Sequence, residues 1–123
     1  MNKSIKLFMI YVLSIFLFAS SPVTYEATAY TKNCKGCSGI TSTGIKANPY
    51  GKVKMMAVDP KHLKLGKCYI LQFKDGHRSI YLAADTGLHI KGKRVDLLLK
   101  THESAVKFGR QKVSVIGLTK CPK

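Results

Sequence analysis

Residues 68–87 read CYILQFKDGHRSIYLAADTG. Two runs rich in Ile, Leu, Tyr and Phe flank Asp75-Gly76, the strongest short-range hairpin signal in the chain. Runs of this length and composition, 68–73 and 79–84, are expected strands. The second ends on Ala84-Asp85-Thr86-Gly87, so an aspartate arrives where a strand gives way to a glycine turn. Outward from the hairpin the pattern repeats. Residues 53–58 read as a short buried strand stopped by Asp59-Pro60. Residues 24–31 (TYEATAYT) alternate large and small side chains, and 33–44 are Gly-, Ser- and Thr-rich loop. Downstream, a glycine turn at 91–93 precedes a strand at 95–99. Residues 102–108 are the one expected helix, with Thr101 as N-cap, Glu103 in the first turn and Gly109 at the end. A last strand covers 112–118. Six short strands and one helix make a mainly β chain, best accommodated as a small barrel whose closure removes exposed sheet edges.

The N-terminus has the form of an export signal. Lys3 and Lys6 precede an uncharged run, 7–19, and small residues follow at Ala19-Ser20-Ser21. The run is shorter than the ~20 residues a membrane-spanning helix needs. The expected organisation is a signal peptide over 1–21 and one domain over 22–123, with retention of the segment as an anchor as the alternative. Either way the domain faces away from the cytoplasm, secreted or in the cell envelope. The formal charge is +15, and +13 without Lys3 and Lys6. Outside the cell such a charge favours anionic envelope polymers and argues against nucleic acid as partner. Four cysteines, Cys34, Cys37, Cys68 and Cys121, fit one or two structural disulfides, and the spacing leaves all three pairings open. Cys34-Lys35-Gly36-Cys37 has half the spacing of a zinc site, but no second such pair and no nearby histidine complete it, so no metal is expected.

Only six carboxylates oppose 21 Lys and Arg, and three of them stand in turn-rich contexts: Ala57-Val58-Asp59-Pro60, Ala84-Asp85-Thr86-Gly87 and Lys93-Arg94-Val95-Asp96. Together with Thr28-Ala29-Tyr30-Thr31, Gly36-Cys37-Ser38-Gly39-Ile40-Thr41-Ser42-Thr43-Gly44, Leu65-Gly66, Ile90-Lys91-Gly92 and Phe108-Gly109-Arg110, they form an ordered series. The series resembles the three-aspartate (3D) domain of bacterial cell-wall enzymes, as in murein transglycosylase A and the stationary-phase muralytic proteins. The resemblance runs from Thr28 to Leu118. It implies a six-stranded double-psi β-barrel, the fold of expansins and family 45 endoglucanases. It also implies lytic transglycosylase activity: cleavage between N-acetylmuramic acid (MurNAc) and N-acetylglucosamine (GlcNAc) with closure of a 1,6-anhydro ring and no water consumed. The family's catalytic aspartate maps onto Asp96, with Asp85 and Asp59 as its partners. The chain departs from the family pattern at Leu88 and His89, where a glycine and a small residue are usual, making that loop bulkier.

The chemistry asks for a carboxyl that first donates a proton to the leaving oxygen and then recovers one from the 6-hydroxyl. Its pKa must rise from about 3.9 towards working pH. The expectation is that Asp85 and Asp59 crowd Asp96 and hold it protonated. Thr31 and Thr43 are expected to donate to sugar hydroxyls, Tyr30 to stack on a ring, and Lys91 and Arg94 to reach the glycan or its peptide carboxylates. No cofactor is implied, and a monomer acting on peptidoglycan strands is expected. Three rivals remain. An aspartic protease would use Asp85-Thr86-Gly87 but leaves Asp59 and Asp96 idle. A wall-binding protein like an expansin would keep the residues without the reaction. A hydrolase of the same fold would need a second working carboxylate.

Overall fold

The computed structural model describes residues 21–123; the export signal expected over 1–21 lies outside them save for Ser21. The strands are β1 (Val23–Tyr30), β2 (Lys54–Val58), β3 (Cys68–Gln72), β4 (Arg78–Asp85), β5 (Arg94–Leu98) and β6 (Gln111–Thr119), with helix α1 (His102–Phe108) before the last. They close into a barrel in the order β1-β5-β2-β4-β3-β6. β1 with β5 and β2 with β4 are parallel pairs, and the other four pairings are antiparallel. This is the mixed six-stranded barrel the resemblance implies.

Period-2 alternation builds the core, because successive side chains of a strand face opposite sides of the sheet. Each strand sends two residues inward: Tyr25 and Ala27, Met56 and Val58, Tyr69 and Leu71, Tyr81 and Ala83, Val95 and Leu97, Val113 and Val115. Leu63, from the β2–β3 connection, completes the cluster. Met56, Val58, Leu71, Val95 and Leu97 are wholly shielded from solvent. Outside the barrel a second, smaller apolar cluster forms from Ala47, Met55, Ala84 and Leu98, with Tyr30 and Leu82 against it. That patch underlies the loop over 31–47 and positions the site.

The hairpin falls where the sequence places it, but its loop is longer than two residues. Gln72 pairs with Arg78, and Phe73 N donates to His77 O, leaving Lys74, Asp75 and Gly76 as the loop. A two-residue type I′ turn needs positive φ at both Asp75 and Gly76. Only Gly76 has it (φ 89°), so the chain takes the three-residue alternative, with Asp75 Oδ1 accepting from His77 N at 3.0 Å. The helix matches its expected span. Thr101 caps it and Ser104 returns the bond to the cap, with Gly109 at the far end. Disulfides join Cys34 to Cys37 and Cys68 to Cys121, resolving the pairing the spacing left open.

Candidate functional site

Register brings two of the three motif aspartates into one row. Asp96 on β5 is paired with Thr28 on β1 and with Ala57 on β2, and Ala57 is paired with Asp85 at the end of β4. Four adjacent strands thus carry Thr28, Asp96, Ala57 and Asp85 at one level. With strands about 4.8 Å apart, the backbones of Asp85 and Asp96 lie roughly 10 Å from each other. Asp96 alternates with the inward Val95 and Leu97, so its side chain leaves the barrel on the outer face, beside the small apolar cluster. A bulge between Met56 and Ala57 sets Asp85 opposite Ala57, where an unbroken register would place Ala84.

Asp96 Oδ1 accepts from the Thr28 hydroxyl at 2.9 Å. Burial pushes its carboxyl above the usual aspartate range, and the charge of Asp85 adds to that. The Thr28 hydrogen bond and the Arg94 guanidinium pull the other way. Asp85 is held differently. Its Oδ1 accepts from Ser42 N (2.9 Å), Ser42 Oγ (2.8 Å) and Thr86 N (2.9 Å), and Ser42 Oγ also meets Thr86 Oγ1 at 2.7 Å. This clamp fixes the loop over 31–47 to the end of β4. Ser42 was not singled out by sequence reasoning. Its only signal is a place inside Thr41-Ser42-Thr43-Gly44, where every residue type suits a turn.

Asp59 does not crowd Asp96 as expected. Its Oδ1 accepts from Lys61 N (3.0 Å) and its Oδ2 from Gly92 N (2.8 Å). These amides, Gly92 first, hold its carboxyl below the usual range, with His62 and Lys91 contributing. Asp59 therefore ties the turn after β2 to the glycine turn before β5. A donor at each oxygen stabilises the ionised form.

The two aspartates couple to folding with opposite signs. The folded pKa of Asp96 is raised, so its contribution to stability is full below the unfolded value of about 3.9 and is lost as pH rises through the folded value. Asp96→Asn keeps an acceptor for Thr28 and removes the ionisation. Its Tm is expected to exceed the parent's at pH 7, with the gap closing below pH ~4; equal Tm at both pH values contradicts this. Asp59, with its pKa lowered, contributes above about pH 3.9 and loses that contribution as pH falls through its folded value. Asp59→Ala is expected to lower Tm at pH 7, with the deficit shrinking under stronger acid. Thermal scans across that range check both signs.

Tyr30 lies at the centre of the site. Its hydroxyl is buried beside the Asp85 carboxylate and makes no hydrogen bond of standard geometry. Burial raises its pKa first, and the carboxylates of Asp85 and Asp96 raise it further, so it keeps its proton as a donor. Tyr30 lines a cleft of about 240 Å³ with Lys32, Ser38, Ile40, Asp85 and Thr86. It also lines a larger cleft, about 710 Å³, on its other side. Asp96 lines neither cleft; Tyr30 connects it to both.

The remaining expected contact residues divide. Thr31 faces the larger cleft. Thr43 is spent on scaffolding, since its hydroxyl donates to Ala84 O at 2.9 Å and its amide bonds the same oxygen. Arg94 Nη1 donates to His89 O at 2.9 Å and its Nε lies 3.9 Å from Glu26 Oε1, so part of its guanidinium is engaged within the protein. Glu26 also pairs with Arg110. Lys91 is exposed beside Asp59. Among the described residues no three His, Cys, Asp or Glu side chains gather closely enough to hold a metal.

The chain is 41% identical over 98 residues to the cell wall-binding protein YocH of Bacillus subtilis, covering 79% of this chain and 32% of that one. It is 37% identical over 94 residues to the putative cell wall shaping protein YabE of the same organism, covering 76% and 22%. It thus spans a third or less of these two relatives. Among solved structures, the Clavibacter michiganensis expansin superposes with a TM-score of 0.59 at 18% identity, over 84% of this chain and 52% of the expansin. A mutant of that expansin in complex with cellohexaose gives 0.57 at 16%, over the same 84% and 52%. These likenesses identify the barrel as the double-psi type. The 3D domain model matches residues 54–119, more than half of the chain, from β2 through β6, and the chain belongs to the 3D domain family.

Proposed function

We propose that this domain acts outside the cytoplasm on the bacterial cell wall, as a lytic transglycosylase with Asp96 as its single acid and base. The observation that carries the reading is Asp96 itself. It is a carboxyl raised in pKa by burial, oriented by Thr28 and set in one row with Asp85. The protonated carboxyl gives its proton to the oxygen between MurNAc and GlcNAc as the bond from the muramic C1 breaks. The carboxylate left behind takes the proton of the 6-hydroxyl as that oxygen bonds to C1. Atoms balance without water. The charge of Asp85 favours the oxocarbenium-like state between the two steps. Asp85, clamped by Ser42 and Thr86, is a fixed electrostatic partner rather than a mobile second acid, which counts against a two-carboxylate hydrolase. Asp59 acts through the backbone, holding the turn from which β5 delivers Asp96.

The relatives named for cell-wall binding and shaping support the wall as target. The excess of positive charge suits its anionic polymers. Digestion of purified peptidoglycan tests the reaction. Mass spectrometry should show muropeptides lighter by one water than the hydrolytic products. Products of hydrolytic mass contradict the transglycosylase reading. Binding without any released product favours the second reading, wall binding without cleavage, to which the name of the 41% identical relative points.

A further inference from the structure

The larger cleft has no part in the row of aspartates. It lies between the end of β1, the disulfide-closed loop after it and the face of α1. Ala29, Ala105 and the exposed Val106 give it an apolar lining, and Lys35, Lys100 and His102 also line it. No carboxylate lines it. Lys100 lies at the rim between this cleft and a neighbouring one lined by Pro49, Leu98 and Ser104, with its Nζ 5.5 Å from the centre of the Tyr50 ring. The cleft meets the aspartate site at one residue, Tyr30, whose buried hydroxyl lies beside the Asp85 carboxylate. Ala29 is paired with Leu97 and Tyr30 with Leu98, one and two residues beyond Asp96, so the cleft begins about 3–7 Å along the strand from the proposed acid. That is on the order of one sugar ring.

We infer that this cleft is a subsite for the peptide borne by the glycan, with Lys35 and Lys100 holding its carboxylates. The inference rests on the proposed function for the polymer concerned. A muramic acid engaged at Asp96 carries its peptide on the lactyl group, off the line of the glycan. A side cleft with cations, an apolar lining and no acid accepts a chain of alanine methyls and carboxylates better than a further neutral sugar. The Tyr30 hydroxyl at the junction is a donor for the lactyl carbonyl or a neighbouring hydroxyl. Phosphate polymers of the wall offer anions too, but they are not fixed at this distance from the cleaved bond.

Binding tests the inference apart from catalysis. Sacculi stripped of phosphate polymers are divided, and one half is treated with an amidase to remove the peptides. Asp96→Asn protein is titrated against both. Retention on the peptide-bearing wall should be about tenfold tighter, and Lys35→Gln with Lys100→Gln in the same background should erase the difference. Both lysines are exposed, so folding is not at stake. Lys52→Gln with Arg78→Gln makes the same charge change in a separate cleft over β3 and β4 and should leave the difference intact. Equal retention on both walls, or loss of discrimination in this control pair as well, overturns the inference. Parent protein incubated with the two walls separates the claims. Anhydro products together with equal binding leave the proposed reaction standing without the subsite. Discrimination without products leaves the subsite and removes the reaction.

Discussion

Asp96→Asn should lower the rate of glycan release from peptidoglycan by about 10²–10⁴-fold, the usual contribution of a positioned general acid and base. The substitution is nearly isosteric. The amide oxygen still accepts from the Thr28 hydroxyl, so the loss cannot be assigned to a collapsed groove. It removes both proton transfers at once, because one carboxyl serves as donor and then acceptor. Retention on the wall should change little, which separates a chemical loss from a binding loss. A variant that releases glycan as fast as the parent removes Asp96 from the reaction.

Loss of the Cys68–Cys121 bond should destabilise the fold by about 2–4 kcal/mol. The cysteines are 53 residues apart in sequence with Cα atoms 5.2 Å apart. Loop-closure entropy for that separation is worth about 4 kcal/mol in the unfolded chain, with measured effects often lower. The bond clips the residues after β6 to the first residue of β3. Cys68 is only 1% exposed, so the bond ties the exposed Cys121 to a buried position in the barrel wall. β6 is paired with both β1 and β3 and closes the barrel, so fraying there opens two seams. Urea unfolding of Cys68→Ser with Cys121→Ser measures the effect. Cys34 and Cys37 are three residues apart and close almost no loop. Their removal should cost less stability and disturb mainly the segment lining the two clefts.

The strands were legible because their inward residues alternate cleanly. The pairs Val95 with Leu97 and Tyr69 with Leu71 are visible in sequence before any contact is known. The barrel's strand order was not legible from periodicity. β1–β5 and β2–β4 are parallel pairings between distant segments, and alternation says nothing of partners; the ordered motifs supplied the fold. The same divide runs through the site. Asp85 and Asp96 stand out as acids in a basic chain, and a register two strands wide joins them. Asp59 stands out equally, yet its carboxylate is consumed by the amides of Lys61 and Gly92, a use no side-chain pattern announces. Ser42 is the converse case. Its neighbours are all turn formers, so nothing local distinguishes the hydroxyl that clamps Asp85. Thr43 reads as a sugar donor until Ala84 O is seen to occupy it.

Titration of the Asp96 carboxyl carbon by NMR reads the protonation state on which the reaction depends, since a proton must sit on that group when substrate arrives. The midpoint is expected above the ordinary aspartate value of about 3.9, moving down in Asp85→Asn as the neighbouring charge is lost. A midpoint at or below the ordinary value, unmoved by that substitution, would contradict the role of Asp96 as the acid.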